Sequence, residues 1–393
     1  MLLIASRKIC MANSRAKTSK RWVSTGGSDL VHFLEWVFVS GLVAASLGAL
    51  YQAVGTRRDK THFPPPGRLV NVGGHRLHLF ESGRSGPTIV LEAGLMSTVL
   101  SWGHLQRKLA QSYRVVSYDR AGLGWSEPGP MPRTAERIVD ELHTLLHRAA
   151  IPAPYVLVGH SFGGLTMPLF AARFPKETAG MVLVDPVVPA EWNPPSTHDR
   201  KLTRIGAKVC RRAALLSRIG VLRFVAYLLT TRAAKLAGHL VRLISRGAPA
   251  ESGTVSSPWF SALPANERAM APVFWVQEKF ALTIASQLEN LPVSAAQLNQ
   301  FENVCAKPVM ILSARTAPAR RRKEHAAMAV RLPFGDCVLA GRSGHWIMQD
   351  EPELVLRAIE RVVENQVNSY DTRALPPLHS SLVMNCKQPG GAQ

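Results

Sequence analysis

The chain has 393 residues, 46% of them hydrophobic, enough for one large α/β domain with additions. Its net charge of +20 is local: residues 1–60 hold nine Lys/Arg against three acids and residues 201–250 hold eleven and no acid. The body is therefore close to neutral, which argues against a general nucleic-acid-binding face, and five scattered cysteines without a C-x-x-C form neither a disulfide framework nor a zinc site.

From the N-terminus, residues 1–28 make a basic tail with no acid, also compatible with an organelle transit peptide. Residues 29–54 are predicted to be a single transmembrane helix. Trp36 to Val54 is uncharged over nineteen residues, long enough for the hydrocarbon core, and Trp36 and Tyr51 bracket it as an aromatic belt would. The competing reading is a helix packed on the soluble body. Six Lys/Arg precede the segment and Arg57, Arg58 and Lys60 follow it, so charge favours an N-terminus in the cytoplasm or matrix. Residues 55–67 read as a linker stiffened by Pro64-Pro65-Pro66.

The body is predicted over 68–366. Arg68–Val72 and His75–Glu81 flank Gly73-Gly74 as a hairpin, and Pro87–Glu92, Tyr113–Tyr118, Tyr155–Val158 and Met181–Val184 are short apolar strands of the parallel type. Thr134–Ala150 places Ile138, Leu142, Leu145 and Leu146 on one helical face. Residues 187–300 interrupt the alternation with a mainly helical insertion suited to a cap, before strands at Lys307–Leu312 and Asp336–Ala340 and a closing helix over Glu351–Gln366. Strands alternating with helices imply an α/β fold whose sheet is mostly parallel and flanked by helices. Residues 367–393 read as a disordered tail.

Gly159-His160-Ser161-Phe162-Gly163 joins the strand at 155–158 to an apolar helix, the turn at which a serine is exposed as a nucleophile. The bland alternative is a serine that caps the helix. The base is expected to be His345, which follows the last strand in Ser343-Gly344-His345-Trp346; His160 points away from the elbow apex, and His104 and His325 have no support. The acid is harder to place, because Ala314–Arg320 after the 307–312 strand holds no carboxylate. Asp185, closing the preceding strand, is favoured, with Glu324 as the alternative. Oxyanion donors are expected from the N–H groups of Phe162 and of Leu95, in a loop where Gly94 supplies backbone freedom. No metal-ligand spacing is apparent, and no metal or cofactor is expected.

Glu92-Ala93-Gly94-Leu95, Tyr118-Asp119-Arg120-Ala121-Gly122-Leu123-Gly124-Trp125-Ser126, Gly159–Gly164 and Gly344-His345 stand in an order that resembles the α/β-hydrolase superfamily. They look like its esterase- and lipase-like serine hydrolases with an N-terminal hydrophobic segment. The resemblance covers about residues 67–366. It implies Ser161 and His345 as catalytic residues, and Asp119-Arg120 as a structural loop beside the oxyanion strand. The missing acid after the 307–312 strand departs from the pattern.

Between Lys201 and Arg246 cations interleave with leucine, valine and isoleucine. Such a helix fits a lipid interface, or equally a cap that leaves its cations solvated. Trp259, Phe260, Phe274 and Trp275 are candidates for an apolar acyl pocket. The expected activity is hydrolysis of small-molecule esters with apolar acyl groups by a membrane-anchored enzyme. The alternatives are acyl transfer or C–C bond hydrolysis on the same fold, and a catalytically silent scaffold that binds a lipid or protein partner.

Overall fold

The computed structural model describes residues 25–229, 265–299 and 307–368. Its strands are β1 (Arg68–Asn71), β2 (Arg76–Ser82), β3 (Thr88–Glu92), β4 (Arg114–Tyr118), β5 (Tyr155–His160), β6 (Thr178–Val184), β7 (Val309–Ala314) and β8 (Gly335–Ala340). They form one sheet in the order β1-β2-β4-β3-β5-β6-β7-β8. The β1–β2 hairpin and the β2–β4 pair are antiparallel, and every pair from β4 to β8 is parallel.

Strands β3, β5, β6 and β7 are buried along their whole length because helices cover both faces. The period of two divides their side chains between two cores. Val90, Leu157, Leu183 and Ile311 meet the first, with Leu142 and Phe170. Ile89, Leu91, Val156, Val158 and Leu312 meet the second, with Leu105 and Ile359. The helices that supply these covers are α2 (Gly103–Leu109), α3 (Ala135–Arg148) and α4 (Gly163–Arg173), followed later in the chain by a last long helix. On α3, Ile138, Leu142, Leu145 and Leu146 are fully buried, as their spacing predicted, and the Thr134 hydroxyl caps the helix by accepting from the Arg137 N–H. Pro168 lies inside α4, which is buried from Gly163 to Ala171 and whose packing holds the proline in place.

Between β6 and β7 every described element is helical: α5 (Pro189–Trp192), α6 (Thr197–Arg218), α7 (Val221–Leu229), α8 (Ala265–Trp275), α9 (Glu278–Glu289) and α10 (Leu291–Asn299). The insertion expected over 187–300 is thus helical through its described residues. The chain then completes the fold with α11 (Ala319–Arg331), α12 (Ile347–Asp350) and the closing helix α13 (Pro352–Asn368).

Ahead of the sheet runs α1 (Thr25–His62), a helix long and apolar enough to cross a membrane. Trp36 and Phe38 are each 72% exposed on it. The predicted linker at 55–67 is shorter than expected, because the helix continues through residue 62. Its last turns dock on the cap: Arg223 of α7 binds Asp59 at 2.7 Å and Gln52 at 2.9 Å. The three prolines then stop it, and the Trp125 indole N–H holds the Phe63 carbonyl at 2.8 Å. The basic N-terminal tail up to residue 24, the C-terminal tail from 369, the basic stretch 230–246, Trp259 and Phe260 lie outside the described residues.

Candidate active site

The turn from β5 into α4 is tight for a reason that can be measured. A Cβ placed on Gly159 would fall 2.6 Å from the Gly163 carbonyl oxygen, and one on Gly164 would fall 2.3 Å from Cβ of Pro186. Ser161 at the apex takes φ +51°, a left-handed conformation that costs a non-glycine residue roughly 1–3 kcal/mol. Its backbone is held from both sides: its N–H donates to Val184 O at 3.0 Å, and its carbonyl accepts from Gly164 N–H at 2.9 Å and Val187 N–H at 2.8 Å. The half-buried side chain thus stands at the carboxyl edge of the sheet, where β5 and β6 end together.

Asp185 follows β6 at that edge, also with positive φ, +42°. Its N–H donates to Leu312 O at 2.7 Å, and its Oδ1 accepts from the Ala314 N–H at 3.1 Å, so the neighbouring strand β7 fixes the carboxylate. Oδ2 accepts from Nδ1 of His345 at 2.6 Å. Burial pushes the Asp185 carboxyl up, but the bond to His345, that ring's charge and the Ala314 N–H together hold it below its ordinary range. Glu324 stands on α11, and it is Asp185 that meets His345.

His345 is held a second time through its backbone. His160, next to Ser161, donates from Nε2 to the His345 carbonyl at 2.9 Å, and the two rings lie 4.6 Å apart. Burial, aided by repulsion from the neighbouring His345 ring and the Arg120 guanidinium, pushes the His160 pKa down to about 3, so this ring is a neutral donor. His160, His345 and Asp185 are therefore linked to one another at the carboxyl edge, with Ser161 next to His160 in the chain. His160, set aside as a base, is a structural support for His345; the sequence carried no local sign of that.

Beyond β3 the chain turns through Ala93, Gly94 and Leu95. Gly94 is needed for close approach rather than for an unusual φ: a Cβ there would lie 2.8 Å from Nδ1 of His160 and 3.2 Å from Cβ of Ser161. The positive φ of this loop, +61°, belongs to Met96. Arg120 clamps the loop, donating to the carbonyls of Ala93 at 2.6 Å and Gly94 at 2.5 Å and to Glu92 Oε1 at 2.5 Å. Its guanidinium sits 5.1 Å from the Phe162 ring centre. Burial pushes Glu92 up against the opposing effects of Arg120 and the Tyr118 hydroxyl, which also binds it. Asp119 fastens the adjoining segment, accepting from Val99 N–H and His78 Nδ1, each at 2.9 Å. Among the described residues, the N–H groups of Leu95 and Phe162 donate to no backbone carbonyl.

Over this edge lies an apolar cluster that joins cap to body. Phe274 of α8, Phe280 and Ile284 of α9, Leu100 and Leu123 are buried in it, with Leu95, Met96, Trp275 and Trp346 packed against it. Phe274 and Trp275 thus share a cluster with the loop that carries Leu95. Lys279 of α9 ties cap to body, donating to the carbonyls of Gly124 at 2.7 Å and Ser126 at 2.6 Å. Burial lowers its pKa to about 8. On α6, Arg211 and Arg218 pair with Glu289 and Glu278 of α9, while Leu215 of α6 and Phe224 and Tyr227 of α7 stay exposed.

A mostly parallel sheet with a serine elbow after β5, a histidine after β8 and a helical insertion after β6 defines a hydrolase class. The alpha/beta hydrolase family pattern matches residues 89–358, and the chain belongs to that family. The uncharacterized protein YqjL of Bacillus subtilis (strain 168) is 39% identical over 129 residues, covering 30% of this chain and 50% of that protein. The chain spans half or less of the length of the first curated relatives it matches. Among solved structures, an esterase from Thermogutta terrifontis is similar with a TM-score of 0.50 and 19% identity, over 76% of this chain and 98% of that one. An epoxide hydrolase from Vigna radiata has a TM-score of 0.55 and 18% identity, over 76% and 97%. At such identities the likeness is one of fold.

Proposed function

We propose that the protein is a membrane-anchored serine hydrolase that cleaves esters carrying an apolar acyl group. The observation that carries this reading is the 2.6 Å bond between His345 Nδ1 and Asp185, formed at the sheet edge where Ser161 stands in a strained turn. The bond leaves Nε2 of His345 as the basic nitrogen. In the proposed cycle His345 Nε2 takes the Ser161 hydroxyl proton as Oγ attacks the ester carbonyl. The N–H groups of Leu95 and Phe162 receive the oxyanion, and the imidazolium returns its proton to the departing alkoxide. Water, deprotonated by the same nitrogen, then attacks the acyl-enzyme; the acid is released and Ser161 regains its proton.

An apolar acyl group fits the cluster of Phe274, Phe280, Ile284 and Trp346 above the edge, and α1 is the proposed anchor. Fold relatives include an esterase and an epoxide hydrolase, so the fold alone does not choose the bond; the serine at the elbow favours acyl chemistry. A silent scaffold draws its support from the missing carboxylate after β7; the bond from His345 to Asp185 favours the catalytic reading. Ser161→Ala is the decisive variant. It is expected to lose fluorophosphonate labelling and turnover of p-nitrophenyl esters, and undiminished labelling would reject the reading.

A further inference from the structure

Far from the elbow, at the opposite edge of the sheet, two histidines and a glutamate face one another. His143 and His147 stand one turn apart on α3, so their side chains leave the same face. Glu177 lies in the turn just before β6. Its Oε1 accepts from His143 Nε2 at 3.0 Å and its Oε2 from His147 Nε2 at 3.1 Å. One ligand atom from each residue lies within 4.8 Å of the other two. The i, i+4 histidine pair on one helix face is a ligand spacing, contrary to the expectation that the sequence holds none.

We propose that His143, His147 and Glu177 bind one divalent transition-metal ion of the zinc type. Around zinc, with bonds of roughly 2.0–2.2 Å, the ligand atoms of a tetrahedron are separated by about 3.4 Å. Both histidine–glutamate separations are already close to that edge, so only small side-chain rotations bring the ion into reach. The donor set of two imidazoles and one carboxylate suits zinc and its neighbours rather than calcium or magnesium, which select oxygen.

The site is also built rather than loose. The His143 ring lies flat on Phe174, with centres 3.7 Å apart and planes 4° from parallel. The Glu177 backbone is tied at both ends, its N–H to Phe174 O at 3.0 Å and its carbonyl to the Tyr155 N–H at 2.7 Å. His147 is 55% exposed and Glu177 24% exposed, which leaves an entry path and room for water as fourth ligand. Binding requires that each Nε2 give up the proton it now shares with the carboxylate: a neutral ring moves it to Nδ1, and a charged ring releases one proton to solvent. No electron is transferred. Because β6 separates Glu177 from Asp185 by roughly 25 Å at ~3.3 Å per residue, the ion is a clamp between α3 and the start of β6 and takes no part in ester chemistry.

The test is titration of the full-length protein in detergent with Co2+, followed by competition with Zn2+. One equivalent of visible d–d absorption of four-coordinate intensity, removed by Zn2+, is expected. His147→Gln and Glu177→Gln should each weaken the affinity roughly tenfold or more. Far-UV circular dichroism of both variants, each altered at a surface position, reports that they are folded. No visible band in the natural protein overturns the proposal. A band that survives both substitutions, or one accompanied by thiolate charge transfer, overturns it too, because the metal then sits elsewhere.

Discussion

Asp185 reaches His345 from β6, one strand before the position at which the chain lacks a carboxylate. The 2.6 Å bond is possible because β6 and β7 are adjacent and parallel, so both end at the same edge, and because Asp185 turns through φ +42° as it leaves the sheet. The carboxylate is anchored by the Ala314 N–H at the end of β7, the strand that fails to supply an acid of its own.

Asp185→Asn is expected to lower kcat for an ester by roughly 10³–10⁴-fold with little change in KM, because an amide no longer holds the His345 tautomer with its basic nitrogen toward the substrate. Glu324→Gln, on α11, is expected to leave turnover within about twofold. Steady-state kinetics of the two variants side by side decide between the acids; the reverse pattern would move the role to Glu324.

His160 should make itself felt in the acid limb of stability. Its folded pKa, about 3, lies below that of an unfolded histidine near 6.5. Between those values the unfolded chain binds the extra proton, so stability is fully present above about pH 6.5 and is lost as pH falls toward 3. The maximum slope from one such group is about 1.4 kcal/mol per pH unit. His160→Gln keeps a donor for the His345 carbonyl and removes the titration, so its denaturation curves between pH 4 and 6.5 should be flatter than those of the natural protein. His160→Ala also removes the donor and should lower kcat more than it changes KM, an effect Gln restores. Equal acid slopes for Gln and His would show that this ring does not set the limb.

Much of this was legible beforehand, and the reason differs by residue. Ser161 could be read because glycine spacing, a continuously apolar strand and an apolar helix all mark the same turn. Asp185 could be read only through topology, since a carboxylate at the end of a parallel strand must face the same crevice as a serine at the end of its neighbour. The bond from His160 to the carbonyl of His345 joins residues 185 positions apart, and no local pattern encodes it. The Arg120 grip on Ala93 and Gly94 is hidden for the same reason. At the end of α1, the prolines at 64–66 mark where a helix must stop, whereas its persistence from 55 to 62 depends on Arg223, far away on the cap.

Arg120→Met should be costly twice over. It leaves the buried Glu92 carboxylate without its cation, a defect worth roughly 3–5 kcal/mol, and it frees the carbonyls of Ala93 and Gly94 beside the Leu95 N–H. Urea unfolding should show the lost stability. The double variant Glu92→Gln/Arg120→Met should recover part of it, yet not the kcat, because the loop clamp is still gone. Full recovery of kcat in the double variant would separate Arg120 from the proposed oxyanion role of the Leu95 loop.

The seat of the cap on α1 is set by glycine. A Cβ on Gly48 would fall 2.2 Å from the Ile219 carbonyl oxygen in the turn between α6 and α7, and Gly220 packs against Gly48 from the other side of that turn. Gly48→Leu therefore forces the turn off the helix, at a cost of typically 1–3 kcal/mol for overpacking, while the exposed apolar face of α1 ahead of it is untouched. In membranes the variant should resist extraction by alkaline carbonate as fully as the natural protein, since leucine at 48 keeps the proposed span apolar. Limited proteolysis should cut it faster near 219–220, where α1 packs against the turn and Gly220 is buried. Release of the natural protein by carbonate would refute the anchor; retention of both forms with identical proteolysis would refute only the docking of the cap on α1.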